Sequence, residues 1–223
     1  MTMTDFVFQR LVLISLLGTW LMAPSGCQST YYAALEQLGY HKRDLLVTRV
    51  KDARDSQEEA KEQFKSALEK FSSVLKFDGG ALEGKYKELK AELQRSESSA
   101  SGVHDRIAAV ESVSEALFKE WEGELAQYTN ENLRRESARQ LNAARQRYTP
   151  LIRSMKRAES KIAPVLSAFR DQVLYLKHNL NAQAIASLQG ELTAIETNID
   201  TLIREMEAAI SEADAFIKAI GNS

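Results

Sequence analysis

Few residues of this sequence could do chemistry. It has one cysteine, Cys27, and three histidines, His41, His104 and His178. A thiol is a nucleophile and an acyl acceptor, and an imidazole titrating near pH 6.5 can move protons or bind a metal. The histidines fall on different predicted helices, with His41 near one end of the expected fold and His178 near the other, so they do not converge on a metal. Glutamates gather at Glu58, Glu59 and Glu62 and again at Glu120, Glu122 and Glu124. A di-metal bundle needs inward-facing Glu and a Glu-x-x-His pair, and no histidine here follows a glutamate at that spacing. Both clusters read as solvated helix surface. There is no phosphate loop, no His-Glu-x-x-His pair and no Gly-x-Ser-x-Gly elbow. The expectation is a protein that is not an enzyme and carries no metal or cofactor.

Cys27 is different because of what precedes it. Residues 11–23, LVLISLLGTWLMA, form a contiguous apolar run after Arg10. As a helix this run would cover about 20 Å, short of the roughly 30 Å hydrocarbon core, but it has the size of a signal-peptide apolar region. Pro24-Ser25-Gly26-Cys27 follows, then the polar Gln28-Ser29-Thr30. Small residues ahead of a cysteine let a peptidase reach the backbone, after which the thiol can take a lipid. The arrangement resembles the bacterial lipoprotein box, with Ser25, Gly26 and Cys27 in matching places and Pro24 where a leucine is preferred. Lipidation at Cys27 is the first reading. An ordinary cleaved signal and an uncleaved inner-membrane anchor are the alternatives. The expected organisation is a signal peptide at 1–26, a lipid-anchor linker at 27–40 and one helical domain at 41–223.

Composition narrows the rest. The chain has 223 residues, 44% of them hydrophobic and 27% charged, which excludes a disordered tail and a polytopic membrane protein. A net charge of −2 argues against nucleic acid as a partner. Ten glycines and three prolines leave few places to turn, which disfavours sheet architectures.

The remaining residues are spaced as long helices. In the last quarter Leu188, Leu192, Ile195, Ile199, Leu202, Met206, Ala209, Ala213, Phe216 and Ile220 alternate steps of 4 and 3. A mean near 3.5 keeps one apolar seam on one face of a supercoiled helix. The same alternation runs from Leu46 to Val74, through Gln57, and ends before Phe77-Asp78-Gly79-Gly80, where two glycines allow a reversal. It runs again from Leu82 to Trp121 and on to Leu125 and Tyr128. This seam keeps phase across Ser96–Gly102, a stretch with the composition of a linker, which favours a continuous helix there. A third helix carries a seam from Leu133 to Leu180, with Leu166 as one member, and is expected to kink or break briefly at Pro150 and Pro164. Asn181 is placed to cap the final helix. Short connections between helices of about 40–48 residues predict an all-α, elongated antiparallel bundle or coiled coil of about four long helices.

Charge is unevenly spread along these helices. Arg134–Lys161 holds nine basic and two acidic residues, whereas the last helix is acidic. The two are expected to pair as antiparallel neighbours, with Arg153, Lys156 and Arg157 facing Glu205 and Glu207. The rival reading makes Arg134, Arg135, Arg153, Lys156 and Arg157 a contact for an anionic surface such as lipid phosphates.

Several stretches resemble a known family: Tyr40–Asp44 running into Arg49–Phe64, the Phe77–Gly80 turn, Ala116–Leu125 and Phe169–Leu192. They are similar to an uncharacterised family of bacterial envelope lipoproteins, domain of unknown function 2959. The resemblance implies a Gram-negative origin and an envelope location, and it carries over no catalytic or binding residue. Gln28 stands where an aspartate would retain an enterobacterial lipoprotein in the inner membrane, so the resemblance points to the outer membrane, facing the periplasm. The functional expectation is a lipid-anchored helical scaffold that meets an envelope partner. The alternative is a periplasmic ligand-binding or chaperone-like bundle.

Overall fold

The computed structural model describes residues 32, 41–76 and 82–221. The chain divides into two compact units, Met1–His41 and Lys42–Ser223. In the first, Tyr32 is helical and buried. Cys27, the apolar run at 11–23, Pro24 and the turn at 77–80 lie outside the described residues.

The second unit consists of four helices: α1 (Lys42–Leu75), α2 (Leu82–Glu124), α3 (Glu131–His178) and α4 (Ala182–Gly221). One 3-10 turn, Leu125–Gln127, follows α2, and there is no strand among the described residues. The helices hold 34, 43, 48 and 40 residues, or roughly 50–70 Å each at about 1.5 Å per residue. Consecutive helices pack on each other, and α4 returns to α1 to close the ring. Paired residues descend on one helix as they ascend on the next. Lys42 meets Glu120 while Ser66 meets Glu92, and Arg145 meets Glu122 while Arg170 meets Glu97. The fold is an all-α antiparallel four-helix bundle.

The seams explain why these residues fold this way. All nine seam positions of α1, from Leu46 through Gln57 to Val74, are buried. In α4 every seam member from Ile195 to Phe216 is buried. A stripe that recurs every 3.5 residues can bury itself only against similar stripes, so each helix gains most of its stability from the other three. Two side chains tie α1 to α4 at opposite ends. The Arg43 guanidinium donates to the Ile220 carbonyl at 3.0 Å, and the Gln189 amide donates to the last carbonyl of α1, Leu75, at 3.1 Å. Both satisfy acceptors that a helix end leaves open.

Helix ends follow local capping. The Asn130 side chain accepts from the backbone N–H groups of Asn132 and Leu133, starting α3. Asn181 accepts from the Ala184 N–H at 3.0 Å, as its position predicts. Ser96–Gly102 is helical throughout, with Ser96 fully buried, and a Cβ on Gly102 would sit 3.6 Å from the Ser56 hydroxyl. The small residues therefore mark a close approach of α1 to α2.

Four expectations are corrected. Pro150 and Pro164 break nothing, because α3 is continuous through both. Both prolines are exposed, so the carbonyls that lose a partner one turn back lie on the solvent side. The seam passes through Val165, which is buried, while Leu166 is only half-buried. Steps of 3, 4, 3 and 4 from Met155 through Ala158, Ile162 and Val165 to Phe169 hold phase better than the spacing through Leu166. Tyr128 is 40% exposed, because α2 ends at Glu124 and the following 3-10 turn takes it off the seam. Leu133, in the first turn of α3, and Leu180, two residues past its end, are exposed as well.

Candidate functional site

One end of the bundle gathers the start of α1, the end of α2, the start of α3 and the end of α4; it is called here the proximal end. Two seam residues of α3 near this end, Ser137 and Ala144, are small and flank the buried Leu141, whereas Leu151, Met155 and Ile162 stand further along. Beside Ala144 the four helices leave a cavity of about 280 Å³ between them. Every helix contributes to its wall. Leu46, Phe118, Trp121 and Phe216 supply apolar surface, and Ala143 and Ala144 supply the room.

The cavity is electrostatically one-sided. Its polar lining is Arg43, Arg147 and Gln140, all exposed, and no carboxylate lines it. Arg43 is held over the end of α4 by its bond to Ile220. Arg147 has no carboxylate partner among the described residues. Side chains of the wall beside them hold one another. The Trp121 indole donates to the Ser137 hydroxyl at 2.8 Å, and Phe118 meets Tyr148 edge-on at 5.5 Å. The Arg145 guanidinium lies 5.5 Å from the Phe118 ring centroid and forms a two-pronged pair with Glu122. Hydrogen bonding from Arg145 holds the Glu122 carboxyl below its ordinary value. Nearby, the largely buried Lys42 ammonium pairs with Glu120 at 2.9 Å.

Among the buried polar residues, an amide and a carboxylate lie deep between the helices. Gln57, on the α1 seam, is fully buried, and neither atom of its amide has a hydrogen-bond partner among the described residues. Glu92 of α2 is 3% exposed. It accepts from Ser66 at 2.9 Å and from Gln63 at 3.3 Å, both on α1, and from Arg95 one turn on. Burial pushes this carboxyl up most strongly, but the three hydrogen bonds together outweigh it and leave it below its ordinary value. Glu92 was missed from the sequence because it sits beside the seam rather than on it. Arg95 three residues on was the available signal.

The basic helix pairs differently from the expectation. Arg157 reaches Glu205 of α4 at 3.4 Å, as its position suggests. Lys156 turns instead to Glu111 of α2 at 3.0 Å. Arg145, Arg170 and Glu159 also find their partners on α2, in Glu122, Glu97 and His104. Residues 156 and 157 are 100° apart on a helix, so adjacent charges are delivered to opposite neighbours. Arg153 is exposed and has no carboxylate partner among the described residues. Arg134 pairs with Glu131, and Arg135 bonds to the Asn132 side chain. These two stand near the proximal end, about 28 Å along α3 from Arg153.

The histidines are dispersed. His41 precedes α1, His104 lies 2.6 Å from Glu159, and His178 closes α3. Among the described residues no three His, Cys, Asp or Glu side chains are grouped as metal ligands would be. No helix among them is long and apolar enough to cross a membrane.

Fold and site define an all-α four-helix bundle protein with an apolar, cation-rimmed cavity at one end. The match to a family model covers residues 31–220, and the chain belongs to that family, the proteins of unknown function DUF2959. A comparison with curated proteins finds no match.

Proposed function

We propose that this chain is a lipid-anchored protein of the bacterial envelope, tethered through Cys27 to the outer membrane and facing the periplasm. Its bundle works without catalysis, as a scaffold for an envelope partner. The observation that carries the scaffold reading is α3, whose 48 residues run unbroken through two prolines. A bundle of such helices is a stiff spacer roughly 70 Å long. Tethering one end confines the other to a layer parallel to the membrane and raises its effective concentration for partners there. The end remote from the start of α1 carries Leu174 at 51% and Leu180 at 43% exposure, which suits a contact with another protein.

Fractionation and lipid labelling of Cys27→Ser test the anchor. The variant is expected to leave the membrane and to lose the label. A wild-type chain that never takes the label would remove the lipoprotein reading, and a mutant that stays membrane-bound would point to an uncleaved anchor at residues 11–23. Anionic lipid contact by Arg134, Arg135, Arg153, Lys156 and Arg157 is tested on the bundle, residues 42–223. Neutralising all five is expected to weaken binding to anionic vesicles and to flatten its salt dependence.

The cavity at the proximal end favours a second reading, a ligand-binding bundle. A hydrophobic probe dye separates the two. A sealed scaffold gives little native-state signal, whereas a ligand-binding bundle gives a saturable one that Ala144→Leu weakens.

A further inference from the structure

The ligand-binding reading can be taken to a chemical class. We propose that the proximal cavity binds a single-chain anionic amphiphile, a medium-chain fatty acid, with its chain among Leu46, Phe118, Trp121 and Phe216 and its carboxylate between Arg43 and Arg147.

Three observations carry this. The first is size. A dry apolar cavity of about 150 Å³ is enough to take up benzene, and this one is 280 Å³. With a methylene counted as close to a water at about 30 Å³, it holds a chain of roughly eight to ten carbons. The second is polarity. The wall is aliphatic and aromatic, and the Trp121 N–H, which would otherwise demand a polar ligand atom, is already bonded to Ser137. A chain is therefore preferred to a polar ring. The third is charge. Arg43, Arg147 and Gln140 are the polar lining residues, without an acidic residue among them. Arg145 and Lys42, the neighbouring cations, are neutralised by Glu122 and Glu120, whereas Arg147 has no carboxylate partner among the described residues. A guanidinium fork is matched to a carboxylate. It would repel a cationic amphiphile and gains little from a neutral one.

The experiment uses the full chain in nanodiscs of zwitterionic lipid, with decanoate and decanol that each carry a photoactivatable group at the chain terminus. Irradiation followed by peptide mapping reads the site. Decanoate is expected to label peptides spanning 117–121 and 143–147 and to do so at least fivefold more than decanol. Arg147→Gln, an exposed change that leaves the core intact, is expected to bring the two probes within twofold of each other. Ala144→Leu, whose three added carbons take up about a third of the cavity at about 30 Å³ each, is expected to weaken labelling by both at least threefold while circular dichroism stays unchanged. Equal labelling by decanol and decanoate in the wild type would overturn the anionic class and leave the ligand-binding reading standing. Labelling that is absent, that maps elsewhere, or that is undiminished in Ala144→Leu would overturn the site and that reading together.

Discussion

The middle of the bundle and its proximal end are built on the same spacing and finish differently. At the middle, Phe64, Met155, Leu202 and Met206 are fully buried. At the proximal end the seams still carry Leu46 and Phe216, but Ala144 and the half-buried Trp121 stand beside them and the bundle stays open around a cavity. The 3.5-residue repeat places a side chain at each core layer but says nothing about its volume. Volume decides whether four helices at a fixed separation seal or leave a cavity. The lesson is that periodicity specifies the scaffold, and departures in residue size along it mark where the scaffold admits something else.

The largest effect should come from truncating the sealed layers. Phe64→Ala is expected to cost about 3–5 kcal/mol, because the buried ring leaves a cavity that neighbouring helices cannot close. Leu117→Ala, in the cavity wall and half-buried, should cost under about 2 kcal/mol, since less apolar surface is lost there. Denaturant titration of both variants checks this, and equal losses would erase the distinction between the two regions.

Gln57 is the flaw in the sealed region. Each unsatisfied buried polar group costs about 1–3 kcal/mol. Gln57→Leu, of similar volume, is therefore expected to raise the melting temperature by several degrees. A drop on substitution would mean that the amide is satisfied in solution and that this layer is wetter than its packing suggests.

Glu92 offers a pH test of the same α1–α2 interface. Its carboxyl is held below the ordinary value of 4.5 once folded. The native state therefore favours the ionised form, and the stabilisation is present above that ordinary value. It is lost as pH falls through the lowered one. Wild type should thus lose more stability between about pH 5 and pH 3 than Glu92→Gln does. Parallel acid-denaturation curves for the two proteins would refute this assignment.

The smallest effect concerns the charged faces. A double-mutant cycle on Lys156 and Glu111 is expected to give a coupling of about 0–1 kcal/mol, weakened by salt. The corresponding cycle on Lys156 and Glu205 should give none. Coupling to Glu205 instead would restore the simple picture of a basic α3 neutralised by an acidic α4.

Much of the fold was legible before any coordinates. Every α1 seam position from Leu46 to Val74 is buried as its spacing requires, and the phase held across Ser96–Gly102 forecast one unbroken α2. The misreadings sit where periodicity is a poor guide. Leu133, Tyr128 and Leu180 obey the repeat but lie at helix ends, where no neighbouring helix covers them. Leu166 lost its place to Val165 because both fit a four-three alternation within one residue, and apolarity alone does not choose. Lys156 and Arg157 were read as one cluster, yet one residue of helix is 100° of rotation, which sends them to different partners.

The sequence by itself determined the class of this protein. Four long seams of about 3.5-residue period can be buried only against one another, and short connections make neighbours antiparallel, so an all-α bundle follows from spacing and chain connectivity. Tertiary structure alone decided which helices exchange charge, that a carboxylate and an unpaired amide lie in the core, and that one end stays open. Those outcomes depend on the rotation of each helix about its axis and on the summed volume of side chains from four distant stretches. Neither quantity is a property of any one stretch. Ala143, Phe118, Arg43 and Ile220 become a single site only when all four helices are in place.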